Sequence, residues 1–227
     1  MVMINAAIFD LDGVLIDSQP VHFRTDMAVL AKYSRPVSPE VLDKYAGTPN
    51  HNRWEMLRRD FEIEASTDEL IKAHNKILHE ILDTEGLIPV KGAKQLLEAL
   101  KENGYKTAVA SSSSRDFVVK ALKMVGFLNY FDELVCGPEV LNGKPAPDIF
   151  LRAARALDAS LRECVIFEDS ENGVKAANAA GILCIGYQNP TSGKQDLSLA
   201  DVIIDSFYDL DKMRKYLSIA RKDEDNY

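Results

Sequence analysis

Two aspartates lie two positions apart near the start of the chain, within the segment Phe9–Ser18. Asp10 and Asp12 follow the apolar run Ile4–Phe9, which predicts a short, fully buried strand. Carboxylates held this close repel one another, so the pair indicates a task that needs both, such as binding a cation or transferring protons. A polar loop closed by an Asx turn is the purely structural alternative.

Three further segments place polar side chains directly after predicted strands. They contain Ser111, Lys144 and the pair Glu168-Asp169. Ligands of open parallel sheets bind beyond the carboxyl ends of the strands, so we expect these groups to lie close to Asp10. Several carboxylates and one ammonium group have no structural reason to collect there unless something neutralises them.

A magnesium ion beside a phosphoryl group would account for this set of residues. Mg²⁺ prefers oxygen ligands and usually binds one or two carboxylates, several waters and a substrate phosphate. Asp10 and Asp169 supply carboxylates, and the backbone carbonyl of Asp12 could add a third oxygen. Glu168 either ligates the metal or orients a metal-bound water. Lys144 offers a positive charge to a phosphoryl group or to a nucleophilic carboxylate.

The order and spacing of these segments resemble the four motifs of the haloacid dehalogenase superfamily. The motifs are Phe9–Val14, Ser111 after an apolar strand, Lys144-Pro145 and Glu168-Asp169-Ser170. The Asp-x-Asp pattern alone is weak, whereas four motifs in order, each after a predicted strand, are specific. The resemblance extends from the first strand to about residue 205. It is strongest to the β-phosphoglucomutase-like branch, in which a helical cap follows the first strand.

The resemblance implies an enzyme that transfers phosphoryl groups with the help of Mg²⁺. Asp10 would be the nucleophile that forms an aspartyl phosphate, and Asp12 would be the general acid and base. Mg²⁺ and Lys144 would offset the charge of the transferring group, while Ser111 would hold phosphate oxygens. A facing metal would oppose the raised pKa that a general acid needs, so we expect the Asp12 side chain to turn towards the cap.

Substrate-binding residues are predicted on the cap and in the segment after Ser111. They are His22, Gly47, Thr48, Asn50, Lys76, Ser112, Ser113 and Arg115. The segment from Ser113 to Arg115 is a candidate site for the second phosphate of a sugar bisphosphate. For His22 and Lys76, an ordinary helix histidine and a solvated helix lysine are the alternatives.

The cap loop departs from the mutases of this branch. They have a lysine before the loop glycine and an arginine three residues after it, whereas this chain has Ala46 and Asn50. Arg53 could replace part of that charge or could face solvent. Trp54 is predicted to belong to the hydrophobic core of the cap rather than to stack on a sugar.

The elements that must position these groups follow from the pattern along the chain. Residues 17–89 predict helices and almost no strand, whereas strands and helices alternate from residue 90 onwards. We therefore predict an α/β fold: a Rossmann-like parallel sheet with helices on both faces, plus an inserted all-helical cap domain. The core would comprise residues 1–16 and 90–217, the cap residues 17–89, and a flexible tail residues 218–227.

Composition narrows the possible partners and the compartment. A net charge of −8 argues against a basic surface for nucleic acid. The longest mostly apolar run, Ala176–Tyr187, is too short to span a membrane, and the N-terminus does not resemble a secretory signal. Cys136, Cys164 and Cys184 are far apart and predict buried free thiols. We expect a cytoplasmic monomer.

The leading functional hypothesis is a Mg²⁺-dependent phosphatase of a small phosphorylated metabolite, such as a sugar phosphate, acting through an aspartyl phosphate. The alternative is a β-phosphoglucomutase, an isomerase that uses the same intermediate; the missing cap lysine and arginine favour hydrolysis. A non-catalytic binding protein is disfavoured because the set of candidate catalytic residues is intact. A haloacid dehalogenase is disfavoured because attack on carbon–halogen bonds needs neither the second aspartate nor a metal.

Overall fold

The computed structural model describes residues 3–45, 48 and 50–217 of the chain. Gly47 of the predicted substrate loop and residues 218–227 of the predicted tail lie outside the described residues. The strands are β1 (Ala6–Phe9), β2 (Lys106–Ser111), β3 (Glu133–Cys136), β4 (Cys164–Glu168), β5 (Leu183–Tyr187) and β6 (Val202–Ile204). The helices are α1 (Gln19–Tyr33), α2 (Pro39–Leu42), α3 (Asn50–Asp60), α4 (Thr67–Glu85), α5 (Ala93–Glu102), α6 (Arg115–Met124), α7 (Asp148–Ala156), α8 (Glu171–Ala180) and α9 (Leu210–Arg214).

The six strands form one parallel sheet in the order β3-β2-β1-β4-β5-β6. The first strand is therefore central, with β2 on one side and β4 on the other. In this register Ile8 lies opposite Ala108 in β2 and Ile166 in β4. The carboxyl ends of three motif-bearing strands thus meet at one edge, and the predicted Rossmann-like α/β fold is confirmed.

Helices cover both faces of the sheet, which explains why the strands are apolar throughout rather than alternating. Successive strand residues point to opposite faces. Phe9 belongs to the hydrophobic cluster that includes Leu97 of α5 and Val118 of α6. Ile8 belongs to the cluster on the other face, with Phe150 of α7 among its members.

Helices α1–α4, called the cap helices below, lie between β1 and β2 and have a hydrophobic cluster of their own. Trp54 of α3 is fully buried in that cluster, as predicted. Helix α4 is capped by Ser66. The Ser66 side chain accepts a hydrogen bond from the Glu69 N–H, and Glu69 accepts one from the Ser66 N–H, so the two residues form a capping box. The exact boundaries of the cap domain stay a prediction.

The three cysteines are buried and free, as their apolar surroundings predict. Across the described ranges, we find no helix that is both long and apolar enough to cross a lipid bilayer.

Candidate active site

The two aspartates of the first motif lie in a tight loop at the end of β1. The Asp10 N–H donates to the carbonyl of Phe167 in β4 at 2.9 Å, so the loop begins as a continuation of the sheet. Gly13 has a φ of +85°, a conformation that favours glycine. A Cβ atom at this position would also collide with the carboxylate of Asp169. The loop can therefore approach the fourth strand only because residue 13 has no side chain.

Lys144 joins the first and the fourth motifs from the loop that precedes α7. Its Nζ lies 2.5 Å from Oδ1 of Asp10, 2.6 Å from Oε1 of Glu168 and 3.1 Å from the carbonyl oxygen of Ala110. Burial by itself lowers the pKa of Lys144, but the carboxylates of Asp10 and Glu168 outweigh it and keep the pKa above its ordinary value. Lys144 is therefore a buried, charged ammonium group held by two carboxylates.

Glu168 is fully buried at the end of β4, and both of its oxygens are engaged by the protein. Oε1 contacts Lys144, and Oε2 accepts hydrogen bonds from the N–H groups of Asp169 and Ser170, at 2.8 and 2.9 Å, and from the Ser170 hydroxyl. We left Glu168 between ligating the metal and orienting a metal-bound water; both roles stay predictions, and the contacts seen here are with protein groups. In this arrangement Glu168 positions Lys144 and stabilises the start of α8.

Asp10 and Asp169 form an acidic pair on the same sheet edge. Burial is the main cause that raises the pKa of Asp10 to about 8; Lys144 opposes the rise, whereas Glu168 and Asp12 add to it. Burial, followed by the charges of Glu168 and Asp10, raises the pKa of Asp169 well above its usual range. The single ammonium group of Lys144 does not offset three buried carboxylates, so a further cation would be stabilised here.

The donor set of this edge fits Mg²⁺. In the part of the chain that the structure describes, no three acidic, histidine or cysteine side chains converge on a preformed metal site. Mg²⁺ needs no such cage, because one or two carboxylates with water and substrate oxygens suffice. Asp10 contacts Lys144 through Oδ1, and Asp169 accepts a hydrogen bond from the Ser192 hydroxyl through Oδ2. The other oxygens, Oδ2 of Asp10 and Oδ1 of Asp169, are the ones that would bind a cation.

The Asp12 carboxylate points towards the start of α1, the direction we expected. Its Oδ1 accepts a hydrogen bond from the Ser18 hydroxyl at 2.6 Å and lies 3.5 Å from Nε2 of His22. Its Oδ2 accepts a hydrogen bond from the Ser113 hydroxyl at 3.1 Å. Burial raises the pKa of Asp12, but the contacts with His22, Ser18 and Ser113 outweigh it and place the pKa below its ordinary value. These contacts favour the ionised form, which a general base uses.

A cavity of about 670 Å³ separates the strand ends from the cap helices. This volume is typical of sites for small molecules. The sheet edge contributes Asp10, Asp12, Lys144 and Asp169 to the lining. Five of the predicted substrate-binding residues also line it: His22, Thr48, Asn50, Ser112 and Ser113.

Two predicted substrate-binding residues do not line the cavity in this structure. The Lys76 side chain is 78% exposed and lies beside Glu80 on the outer face of α4. Arg115 donates to the Glu139 carboxylate and to the Leu134 carbonyl, both at 2.7 Å from Nη2, and does not line the cavity described above. The partner of Lys76 lies one helical turn away, whereas the partner of Arg115 is 24 residues further along the chain.

Ser111 ends β2, as its motif predicts, but its side chain is fully buried. The hydroxyl oxygen accepts a hydrogen bond from the Ser113 N–H at 3.1 Å. Among the described residues, the cavity wall next to it is formed by Ser112, Ser113 and Ser114 instead. In this structure Ser111 therefore shapes the backbone that forms the wall.

Two residues that line the cavity were not assigned to the site from the sequence. Arg53, which we left between a substrate-binding and a solvent-facing role, lines the cavity and is only 8% exposed. Ser192, the hydrogen-bond donor to Asp169, was missed. It follows β5, so the rule that ligands bind beyond strand ends, applied to the fifth strand as well, would have found it.

Comparison with known proteins agrees with this geometry. Residues 7–187 match the family of haloacid dehalogenase-like hydrolases. The phosphorylated carbohydrates phosphatase of Thermotoga maritima is 33% identical over 78% of this chain and 82% of its own length. The β-phosphoglucomutase of Bacillus subtilis is 31% identical over 80% of this chain and 82% of its own length. The crystal structure of CbbY from Rhodobacter sphaeroides in complex with xylulose-(1,5)bisphosphate has 26% identity and a TM-score of 0.82, covering 92% of this chain and 96% of that one.

The chain belongs to the haloacid dehalogenase-like hydrolase family. Within that family it is similar to phosphatases and to β-phosphoglucomutases, and it is an enzyme of the phosphatase class or a phosphoglucomutase. The resemblance that the four motifs indicated is confirmed.

Proposed function

We propose that the chain is a Mg²⁺-dependent phosphatase that hydrolyses the monophosphate of a small sugar or polyol through an aspartyl phosphate on Asp10. The observation that carries this proposal is the buried contact of Lys144 with Asp10 and Glu168 at the base of the cavity, with Asp12 beside it. The similarity to a phosphatase of phosphorylated carbohydrates supports the substrate class. The cytoplasmic location and the monomeric state expected from the sequence belong to this proposal as well.

In the first step, a carboxylate oxygen of Asp10 forms a bond to phosphorus and the bond from phosphorus to the ester oxygen breaks. Asp12 donates a proton to the departing oxygen, which leaves as an alcohol. The contacts of Asp12 favour its ionised form, but a phosphate dianion entering the cavity opposes ionisation and favours the protonated form. Cap contacts that exclude water would strengthen this effect.

In the second step, Asp12 accepts a proton from water as the water oxygen attacks phosphorus. The bond between phosphorus and Asp10 breaks, which releases inorganic phosphate and restores the carboxylate. Lys144 offsets negative charge at Asp10 in both steps. Mg²⁺, held by Asp10, Asp169 and the backbone carbonyl of Asp12, would neutralise charge on the phosphoryl oxygens.

Two substitutions separate the two steps. Asp10→Asn is expected to abolish phosphate release and covalent labelling, because an amide oxygen is a poor nucleophile. Asp12→Asn is expected to slow phosphate release by about a hundredfold or more, while phosphorylation by an activated ester such as acetyl phosphate persists and is detectable by intact-protein mass spectrometry. Asp116→Asn, an exposed position on α6, is the matched control. Normal turnover by Asp10→Asn would contradict the proposal.

A β-phosphoglucomutase is the second candidate, because a relative of that name is 31% identical. The two functions differ in whether water or a sugar hydroxyl accepts the phosphoryl group from Asp10. The discriminating assay supplies β-glucose 1-phosphate with a trace of glucose 1,6-bisphosphate. Formation of glucose 6-phosphate without a stoichiometric amount of inorganic phosphate would show that the enzyme is a mutase rather than a phosphatase.

A further inference from the structure

The wall of the cavity that the cap helices form is rich in uncharged polar groups. It includes the carboxamides of Gln19, Asn50, Asn52 and Asn75. Among the described cap residues that line the cavity, Arg53 carries the one side chain with a permanent charge. The chemistry of the leaving group therefore depends on what this guanidinium can bind.

Arg53 is buried and incompletely hydrogen-bonded. Its Nη1 lies 3.5 Å from Oδ2 of Asp26, and its Nη2 donates to Oδ1 of Asn50 at 3.2 Å. Its Nε is buried and has no hydrogen-bond partner in the structure. Because Nε is shielded from the cavity, a ligand would reach the guanidinium through Nη1 or Nη2. Each of these carries two N–H groups, and Arg53 lines the cavity, so an oxygen of a ligand there can accept a hydrogen bond from it.

The charge of Arg53 is balanced inside the cap. Asp26 is almost fully buried and forms the ion pair; burial raises the pKa of Asp26, and the guanidinium opposes that rise. His74 lies 3.5 Å from Nη2, and burial together with the charge of Arg53 lowers the pKa of His74 well below its usual range. His74 is therefore neutral at physiological pH, and the carboxyl group of Asp26, 3.5 Å from the guanidinium, is placed to balance the charge of Arg53.

Three other cations among the described residues are not available to a second anionic group. Arg115 is paired with Glu139, and Lys76 lies on the exposed face of α4 beside Glu80. Lys144 is already held by two carboxylates at the base of the cavity. A second phosphate or a carboxylate on the substrate would lose its hydration without gaining an unbalanced positive charge.

We propose that Arg53, held in place by Asp26, donates hydrogen bonds to uncharged oxygens of the leaving group, so that the enzyme selects monophosphates of polyols or sugars and rejects substrates with a second anionic group. This inference rests on the proposed phosphatase function and specifies its substrate class. Asp26 acts through Arg53 and is a positioning residue, whereas Arg53 contacts the substrate.

The test compares two substrates that differ only at the end remote from the phosphate. Sorbitol 6-phosphate has a hydroxymethyl group where 6-phosphogluconate has a carboxylate. We expect wild-type kcat/KM to favour sorbitol 6-phosphate by about tenfold or more. p-Nitrophenyl phosphate serves as a reference that reports phosphatase chemistry. If none of the three compounds is hydrolysed, the proposed function is refuted. If they are hydrolysed without a preference for sorbitol 6-phosphate, only the present inference is refuted.

Two substitutions assign the preference to the ion pair. Asp26→Asn keeps the shape of the side chain but leaves Arg53 unbalanced, so the preference should shift towards 6-phosphogluconate by about tenfold. Arg53→Gln should lower kcat/KM for sorbitol 6-phosphate, relative to p-nitrophenyl phosphate, by about tenfold to a hundredfold. Arg59→Gln, an exposed arginine on the same helix, should change neither ratio.

Three results would overturn the inference. The first is a wild-type enzyme that hydrolyses sorbitol 6-phosphate without preferring it to 6-phosphogluconate. The second is an Asp26→Asn variant that folds, as judged by circular dichroism, and keeps the wild-type ratio. The third is an Arg53→Gln variant whose ratios equal those of Arg59→Gln; this comparison decides the matter if Asp26→Asn does not fold.

Discussion

Replacing Lys144 by methionine tests the buried charge cluster most directly. Methionine keeps much of the apolar stem but removes the ammonium group that contacts Asp10, Glu168 and the Ala110 carbonyl. Two carboxylates would then remain buried without their cation. Breaking a buried ion pair by removing one partner costs about 3–5 kcal/mol of unfolding free energy. We expect a loss of that size at about pH 10 in EDTA, where Asp10 of the wild type is ionised and no metal compensates.

The loss should shrink on acidification. Asp10 already has a pKa raised to about 8, and Lys144 is the one charge that opposes this rise. At a pH well below about 8, Asp10 is protonated with or without Lys144, so the cost of removing the counter-charge grows only as pH rises through and above the folded pKa. Near pH 5.5, with Asp10 protonated, the remaining loss should be about 1–2 kcal/mol, the effect of the missing hydrogen bonds.

Urea denaturation at both pH values measures these differences. Lys175→Met is the matched control, because Lys175 pairs with Glu171 on the surface of α8 and such pairs are worth about 0–1 kcal/mol. The phosphatase assay with Mg²⁺ should show no turnover for Lys144→Met. A loss below about 1 kcal/mol at about pH 10, or an equal loss at both pH values, would refute the account of the cluster.

Three further outcomes are expected. Gly13→Ala should raise the Mg²⁺ concentration for half-maximal activity by about tenfold, because the new Cβ would displace the Asp169 carboxylate. Gly104→Ala is the control, because Gly104 has a similar φ and open space around it, so this variant should lose only the backbone strain of about 1–2 kcal/mol. Equal effects of the two substitutions on the Mg²⁺ dependence would contradict the geometry. Removing Mg²⁺ with EDTA should abolish turnover, and added Mg²⁺ should restore it and raise the melting temperature; full activity in EDTA would exclude the metal. The pKa of His74 is depressed, so folding of the wild type is opposed by protonation of this histidine. Compared with His74→Gln, the wild type should lose up to about 1.4 kcal/mol of unfolding free energy for each pH unit below about pH 6.5. Parallel pH profiles of the two proteins in urea denaturation would refute this.

The sequence was sufficient to predict the sheet edge and the residues that meet there. Asp10, Lys144 and Asp169 each follow an apolar strand, and parallel strands bring their carboxyl ends together whatever the details of packing. For this reason the structure brings these side chains together as predicted. The role of Glu168 was harder to predict, because the backbone N–H groups that engage its second oxygen exist only once the following helix has formed.

The cap side of the site was predicted less well. Helical periodicity placed Lys76 and Arg115 on helices but did not show which way each side chain points. Arg115 turns towards Glu139, which is 24 residues further along the chain. Arg53 turns inwards because Asp26 on another helix supplies its counter-charge. Such partners become neighbours only when the helices pack.

The sequence itself determined the order of strands and helices and the chemical groups that follow each strand. Apolar patterns and strand ends are local features, so they can be recognised without knowing which distant residues become neighbours. Only the tertiary structure decided which charged groups face the cavity and which are balanced by a buried partner. The physical reason is that the energy of a long charged side chain depends on burial and on counter-charges a few ångströms away, and residues far apart in sequence supply both.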